Sequence, residues 1–312
     1  MSEPADILVV GSINMDLVIR ASAMPQPGQT VMGDGFSTNP GGKGANQAVA
    51  ASRLGGNVAM VGLVGDDTFG ATLRSKLKAE NVDCMHVKHR SQQPTGVAMI
   101  VVDSNGENSI VVSSGANALL TPDDIFPLDD MFAAAKVVVL QLELPLPTVR
   151  AAIEKARFHK CKVILDPAPM PRCLPDALCK VDIFSPNVTE AETMTGCKVI
   201  EERVEKNIAL EIIQRGAQTA VLKLGSRGSM IVTADGHFYK IGPYKVSVVD
   251  TTAAGDAFTA ALAVATAEGL HIRDAARLAN AAGALACTRI GAQAAMPTRA
   301  EVDMLMDDQK PD

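Results

Sequence analysis

Tryptophan is absent from this sequence, and aromatic residues supply only 3% of its 312 positions. Single-strand nucleic-acid binders stack bases on aromatic platforms, and so few rings cannot build one. A long basic run is missing too. The net charge is −6, the wrong sign for gripping a duplex backbone, so no nucleic-acid partner is expected. None of the six cysteines (Cys84, Cys161, Cys173, Cys179, Cys197 and Cys287) belongs to a CxxC pair, which argues against a zinc site or a dithiol redox motif. They read as reduced thiols of a cytoplasmic protein. Residues 1–6 are acidic and carry no apolar signal-peptide core. The most apolar long stretch, residues 253–270, contains Asp256 and Glu268, so it reads as a buried helix and no membrane contact is expected.

What is present is an aliphatic chain. Hydrophobic residues make up 47%, enough for a sizeable core of Ala, Val, Leu, Ile and Met. Short, nearly continuous apolar runs occur at residues 7–10, 58–64, 137–142, 163–165, 182–184 and 220–224. Such runs suit strands covered on both faces. Helical patterns lie between them, at 43–54, 69–80, 147–160 and 204–215. The alternation predicts an α/β fold with a mostly parallel sheet, and the length suits one large domain or two ordinary ones. Two stretches break the rhythm. Residues 17–20 and 31–36 flank a Pro- and Gly-rich turn, and residues 96–102 and 109–113 flank Asn105-Gly106, a hairpin-turn dipeptide. These pieces predict a small antiparallel sheet, a β-lid formed by segments of about 14–40 and 95–115.

Six segments carry polar residues at strand ends or helix starts. Asn14 and Asp16 lie two apart after the first apolar run, so in extended backbone they share a face. An amide beside a carboxylate suits vicinal hydroxyls, and it equally suits a local turn. In the run 40–47, Gly42-Lys43-Gly44 fails the Walker pattern, because Lys43 is not followed by Ser or Thr. The glycines allow close backbone approach at a helix start, and Lys43 and Asn46 share one helical face. Glu143 ends an apolar strand. Asn187 and Glu190 flank a helix start, where Glu190 either complements the dipole or holds Mg²⁺ through water. Lys223, Gly225, Ser226 and Gly228 make a Gly-bracketed turn after a strand, a plain turn or a bare surface for a nucleotide. The most informative segment is 250–258. Ala254, Gly255 and Asp256 open an apolar helix whose first N–H groups are sterically bare, a ready anion site. Asp256 in that turn either caps its own helix or serves as general base for a hydroxyl.

Together these segments closely resemble the ribokinase-like family of carbohydrate and purine kinases, from about Ile7 to Pro297. Two blocks are specific to it, residues 41–51 (GGKGANQAVAA) and 250–256 (DTTAAGD). The resemblance implies an α/β fold, a three-layer sandwich with a mostly parallel central sheet and a small antiparallel β-lid, as a single kinase domain over residues 1–312. It implies transfer of a phosphoryl group from ATP to the 5-hydroxyl of D-ribose, giving ribose 5-phosphate. It implies that Asn14, Asp16, Gly42, Lys43, Asn46 and Glu143 hold the sugar and that Asp256 takes the proton. Ala254 and Gly255 would form the anion hole. Asn187, Lys223, Gly225, Ser226, Gly228, Gly255 and Asn280 would line the nucleotide site, with Glu190 placing Mg²⁺ through water. Asp250, Thr252, Ala286, Arg289, Gly291 and Ala295 would surround an activating K⁺. Lys223 stands where Thr is common in the family, Ile290 where Lys is, and Ala295 where Ser is. A homodimer joined through the lids is also implied. Deoxyribose, a ketohexose or a nucleoside are alternative substrates. A sugar sensor without catalysis is the non-enzyme alternative, disfavoured because Gly255 and Asp256 are intact. A dinucleotide oxidoreductase fails because Gly11 does not open a GxGxxG.

Overall fold

The computed structural model describes residues 4–104, 106–199 and 201–309. Asn105, expected at a hairpin turn, lies outside them, as do residues 1–3. In chain order the strands are β1 (Ile7–Val10), β2 (Asn14–Ala21), β3 (Gly33–Gly41), β4 (Val58–Gly65), β5 (Asp83–Arg90), β6 (Gly96–Val102), β7 (Asn108–Ser113), β8 (Val137–Leu140), β9 (Lys162–Leu165), β10 (Ile183–Phe184), β11 (Thr219–Lys223), β12 (Ser229–Thr233) and β13 (Phe238–Ile241). A nine-stranded sheet runs in the order β13-β12-β11-β10-β9-β8-β1-β4-β5. Pairings from β11 to β5 are parallel, and β12 and β13 extend the edge in antiparallel sense.

Successive side chains on a strand point to opposite faces, so each apolar run feeds two cores. Ile7, Val9, Val137 and Val139 join the core under the helices Lys43–Arg53, Ala254–Ala267 and Ile272–Ala286. Leu8, Val10, Val138 and Leu140 join the other, under the helices Leu146–Phe158 and Glu202–Gln214. This is the expected three-layer arrangement. The helix Ala254–Ala267 is buried on nearly every side, which its small residues permit.

The second sheet has the order β3-β2-β6-β7 and falls within the expected lid segments. Its outer pairs, β2–β3 and β6–β7, are antiparallel as expected, whereas the central pair β2–β6 is parallel. The reason is topological. β2 and β6 belong to different excursions of the chain, and both start at the same end, with Asn14 beside Gly96.

The chain moves outward from β1 to β4 and β5 on one side, and from β8 to β11 on the other. The order therefore reverses between β1 and β8. In open α/β sheets ligands bind at the carboxyl ends of strands beside such a reversal. Here those ends are the segments after Val10 and Leu140.

Candidate active site

Both segments deliver polar groups to one point. Ser12 Oγ donates to Glu143 Oε2 at 2.5 Å, and Asn14 Nδ2 reaches the same oxygen at 3.4 Å. The Lys43 backbone N–H adds a third donor at 3.3 Å. The helix Lys43–Arg53 can start there because Gly44 lies against β1's exit: a Cβ on Gly44 would stand 2.6 Å from Gly11 backbone atoms. Gly42, at φ 88°, makes the turn into that helix. A cavity of about 330 Å³ opens beside this cluster, lined by Asn14, Asn117 and Glu143 among others. Asn117 is locked to Asn14, donating to its Oδ1 at 2.8 Å.

The first turn of the helix Ala254–Ala267 presents Asp256, which is buried. Asn46 Nδ2 donates to its Oδ2 at 3.0 Å, and Gln47 Nε2 to its Oδ1 at 3.0 Å. Asn46 Oδ1 is buried and has no hydrogen-bond partner among the described residues. A buried amide oxygen left bare costs free energy unless a ligand donor meets it. Asp256 does not cap its own helix. The residue before the helix is Ala253, at φ 58°. Left-handed backbone at an alanine costs about 1–2 kcal/mol and holds the turn open at a place where strain has a use. The Ala254 N–H bonds the Thr251 carbonyl at a long 3.3 Å, and Asp256 N–H bonds the Ala253 carbonyl at 3.0 Å. Between them, the Gly255 N–H has no acceptor among the described residues.

Charges crowd this site. Burial pushes the Asp256 carboxyl above the ordinary range and Asp166 adds to that, while Lys43 and the two amides oppose it. Burial, then Glu143 and Asp256, raise Asp16 to about 7. Lys43 is the counter-ion of the cluster. Burial works against its charge, but Asp256, Asp166, Glu143 and Glu190 outweigh burial and push its pKa up. A carboxyl whose folded pKa is raised weakens the fold as pH climbs from the unfolded value towards the folded one. Asp16 should therefore cost the ligand-free protein stability between pH 4 and about 7. Asp16→Asn is expected to flatten that part of the melting-temperature profile; identical slopes in the two proteins would refute the assignment.

A larger cavity of about 490 Å³ is lined by Ala254 and Gly255 of the same helix turn. Its lining also includes Lys223, Gly225, Ser226, Gly228 and Asn280, which with Gly255 make six of the seven residues expected around a nucleotide. Asn280 is fixed by donating to the carbonyls of Ile241 and Gly242. Asn187, the seventh, does not line the cavity. It caps the helix Val188–Thr195 in a reciprocal box with Glu190, whose oxygens accept from Asn187 N and Nδ2 at 2.7 and 2.8 Å. The Asn-x-x-Glu spacing was a visible sign of that box. Sequence reasoning missed the apolar side of the cavity, Tyr244, Val246, Val248 and Phe258: the first three alternate with Lys245 and Ser247 as a strand would but form a loop, and Phe258 belongs to the helix Ala254–Ala267. It also missed Arg227, whose guanidinium pairs with the buried Glu205 and steadies the Gly-bracketed turn.

Residues 4–299 match the pfkB family of carbohydrate kinases. The chain belongs to that family. A ribokinase of Haemophilus influenzae is 38% identical over 295 residues, 95% of this chain and 96% of that protein. A deoxyribokinase of Salmonella typhi is 35% identical over 294 residues, 94% of this chain and 96% of its own. Among solved structures, Arabidopsis thaliana ribokinase complexed with ribose and ATP is similar with a TM-score of 0.89 and 32% identity, covering 97% of this chain and 99% of that one.

The sugar kinase's ion positions fit in different degrees. Among the described residues no three His, Cys, Asp or Glu side chains form a metal cage. Burial raises the Glu190 carboxyl, Lys223 pulls it down and Asp166 raises it again. Such carboxylates suit a Mg²⁺ carried in on phosphates with its own waters. For K⁺, the two segments expected around it do converge. Asp250 Oδ1 accepts from Thr252 N and Oγ1, and Oδ2 accepts from Gly291 N at 2.9 Å, so one carboxylate ties the segments together. Ala286 ends its helix, where carbonyls lack intrahelical donors and favour a cation. Arg289 differs from its neighbours, since its side chain turns away to pair with Glu301. Arg53, which the sequence did not flag, donates to the carbonyls of Gln293 and Met296 at 2.9 Å and braces the stretch that contains Ala295.

Proposed function

We propose that this carbohydrate kinase transfers a phosphoryl group from ATP to the 5-hydroxyl of D-ribose. The observation that carries the proposal is the place of Asp256, a buried carboxylate aimed by Asn46 and Gln47, sharing Asp16 and Lys43 as charged neighbours with Glu143, in the helix turn whose Ala254 and Gly255 line the larger cavity. Asn14, Asp16, Gly42, Lys43, Asn46 and Glu143 hold the sugar, and the bare Asn46 oxygen takes one of its hydroxyls. Asp256 removes the proton of the 5-hydroxyl as that oxygen forms its bond to the γ-phosphorus. The bond to the β-γ bridging oxygen breaks, and ADP departs with that electron pair. The Gly255 N–H, aided by Ala254, steadies the negative charge of the group in flight. Lys223, Gly225, Ser226, Gly228 and Asn280 line the nucleotide site, with Asn187 acting behind it through its cap. Mg²⁺ near Glu190 would neutralise phosphate charge. Asp250, Thr252, Ala286, Arg289, Gly291 and Ala295 would hold a K⁺, which would supply positive charge in the neighbourhood of the anion hole.

Residues 1–312 act as one kinase unit, closed by the lid of segments 14–40 and 95–115. The lid exposes Phe36, Met99, Ile110 and Val111, and pairing two lids into a homodimer would cover them. Six free thiols suit a reducing cytoplasm.

The test is ADP release on adding ribose, deoxyribose, a ketohexose or a nucleoside, with Mg²⁺ fixed and K⁺ varied, and ³¹P spectra of the product. Ribose is expected to have the highest kcat/KM. ADP release no greater with any sugar than without would overturn the kinase reading. A preference of about tenfold for deoxyribose, 1.4 kcal/mol in transition-state binding, would replace ribose.

A further inference from the structure

Behind Asp256 lies a buried ion pair between Lys223, at the nucleotide cavity, and Asp166, to which the proposed chemistry gives no part. Lys223 Nζ is 2.7 Å from Asp166 Oδ1, and the two side chains are only 9% and 2% exposed. Asp166 Oδ2 accepts from Gln47 Nε2 at 2.8 Å and from Thr259 Oγ1 at 3.4 Å. That same Gln47 nitrogen holds Asp256 Oδ1. At the other end of the amide, Gln47 Oε1 accepts from Gln141 Nε2 at 2.6 Å. With both ends engaged, the amide has one orientation. Lys223 also lines the nucleotide cavity, and its Nζ lies 3.7 Å from where a Cβ on Gly255 would stand. The network thus runs unbroken from that cavity to the carboxylate.

We infer that Lys223, Asp166 and Gln47 form a positioning chain, in which Lys223 cancels the charge of Asp166, Asp166 fixes the Gln47 amide, and Gln47 aims Asp256. The inference rests on Asp256 being the base. A buried carboxylate stripped of its partner is a large uncompensated charge. Without Lys223, Asp166 would keep only neutral donors, Gln47 and Thr259, and the shared charge of Lys43, one amide away from a second carboxylate. The charged groups facing Asp256 are Lys43, Asp16 and Asp166. Lys43 would remain to serve all the acids of the site. Like charge disfavours ionisation, and the base works only when ionised.

Lys223→Met should therefore lower kcat by about 10–10²-fold and move the acid limb of the kcat profile upward by about one pH unit. The dissociation constant for ribose, read by calorimetry, should stay within about twofold, which also shows that the variant is folded. Adding Asp166→Asn to it removes the second charge, and should recover most of the lost turnover and return the acid limb. A merely structural pair would move melting temperatures and leave the acid limb in place. Unchanged kcat and acid limb in Lys223→Met overturn the inference. So does a double variant slower than the single one, or a rise in the KM for ATP with kcat intact, which would make Lys223 a nucleotide ligand alone. A wild-type protein without sugar-dependent turnover would instead sink the kinase reading.

Discussion

Asp256→Asn should lower kcat by about 10²–10⁴-fold, the usual worth of a positioned general base. The substitution keeps shape and removes basicity, so the loss reports proton removal rather than a cavity. Two amide donors already face this carboxylate, Asn46 Nδ2 and Gln47 Nε2. An asparagine would accept from one and confront the other with its own NH₂. A turn of the Asn46 amide resolves that conflict, since the Asn46 oxygen is free to accept. The variant should consequently fold. It should even be the more stable protein at pH 8, because burial raises the Asp256 carboxyl in the fold and an ionised, buried acid is then no longer required. The gain should shrink towards pH 4, because a raised carboxyl takes up its proton as pH falls. Stopped assays of ADP and melting curves at the two pH values check both halves. Turnover within about fivefold of wild type would remove Asp256 from the role of base.

The sequence made the layers legible because period and length are local properties. The runs at 7–10, 137–142 and 220–224 became β1, β8 and β11 with small shifts at their ends. Strand direction is not local, and the parallel β2–β6 pair in the lid could not be read from alternation. The site was legible where a polar residue closed an apolar run, as Glu143 does after β8. Asp166 closes β9 in the same manner and was passed over, although the same rule would have found it. Gln47, four residues after Lys43, shares its helical face just as Asn46 does, and nothing in that spacing says that it reaches two acids. Its work lies between two acids, and it gains them through pairings across 119 and 209 positions. Lys223 shows the limit most plainly. At its position the sequence read only a turn beside a nucleotide, while its ammonium is fastened to Asp166, 57 residues away.

Lys43→Met should have a comparable effect by the opposite electrostatic route. A lysine at the first position of a helix opposes the helix dipole, so helix formation does not explain it. The acids do. Asp256, Asp166, Glu143 and Glu190 together raise the ammonium despite its burial. A group whose folded pKa is raised adds stability that is complete below its unfolded pKa and is lost only as pH climbs through the folded value. Lys43 therefore stabilises the protein throughout the neutral range, and Lys43→Met should melt lower at pH 7, whereas Asp256→Asn should not. Sugar-site carboxylates left without their cation hold their protons more tightly. The acid limb of kcat should move up, and kcat/KM for the sugar should fall by about 10²–10³-fold, as on removal of one preorganised charge partner. Because the side chain also reaches the bound sugar in the proposed complex, KM should rise with the fall in kcat. A variant with kcat/KM within about fivefold of wild type and an unmoved acid limb would show that the acids of this site are balanced by something other than Lys43.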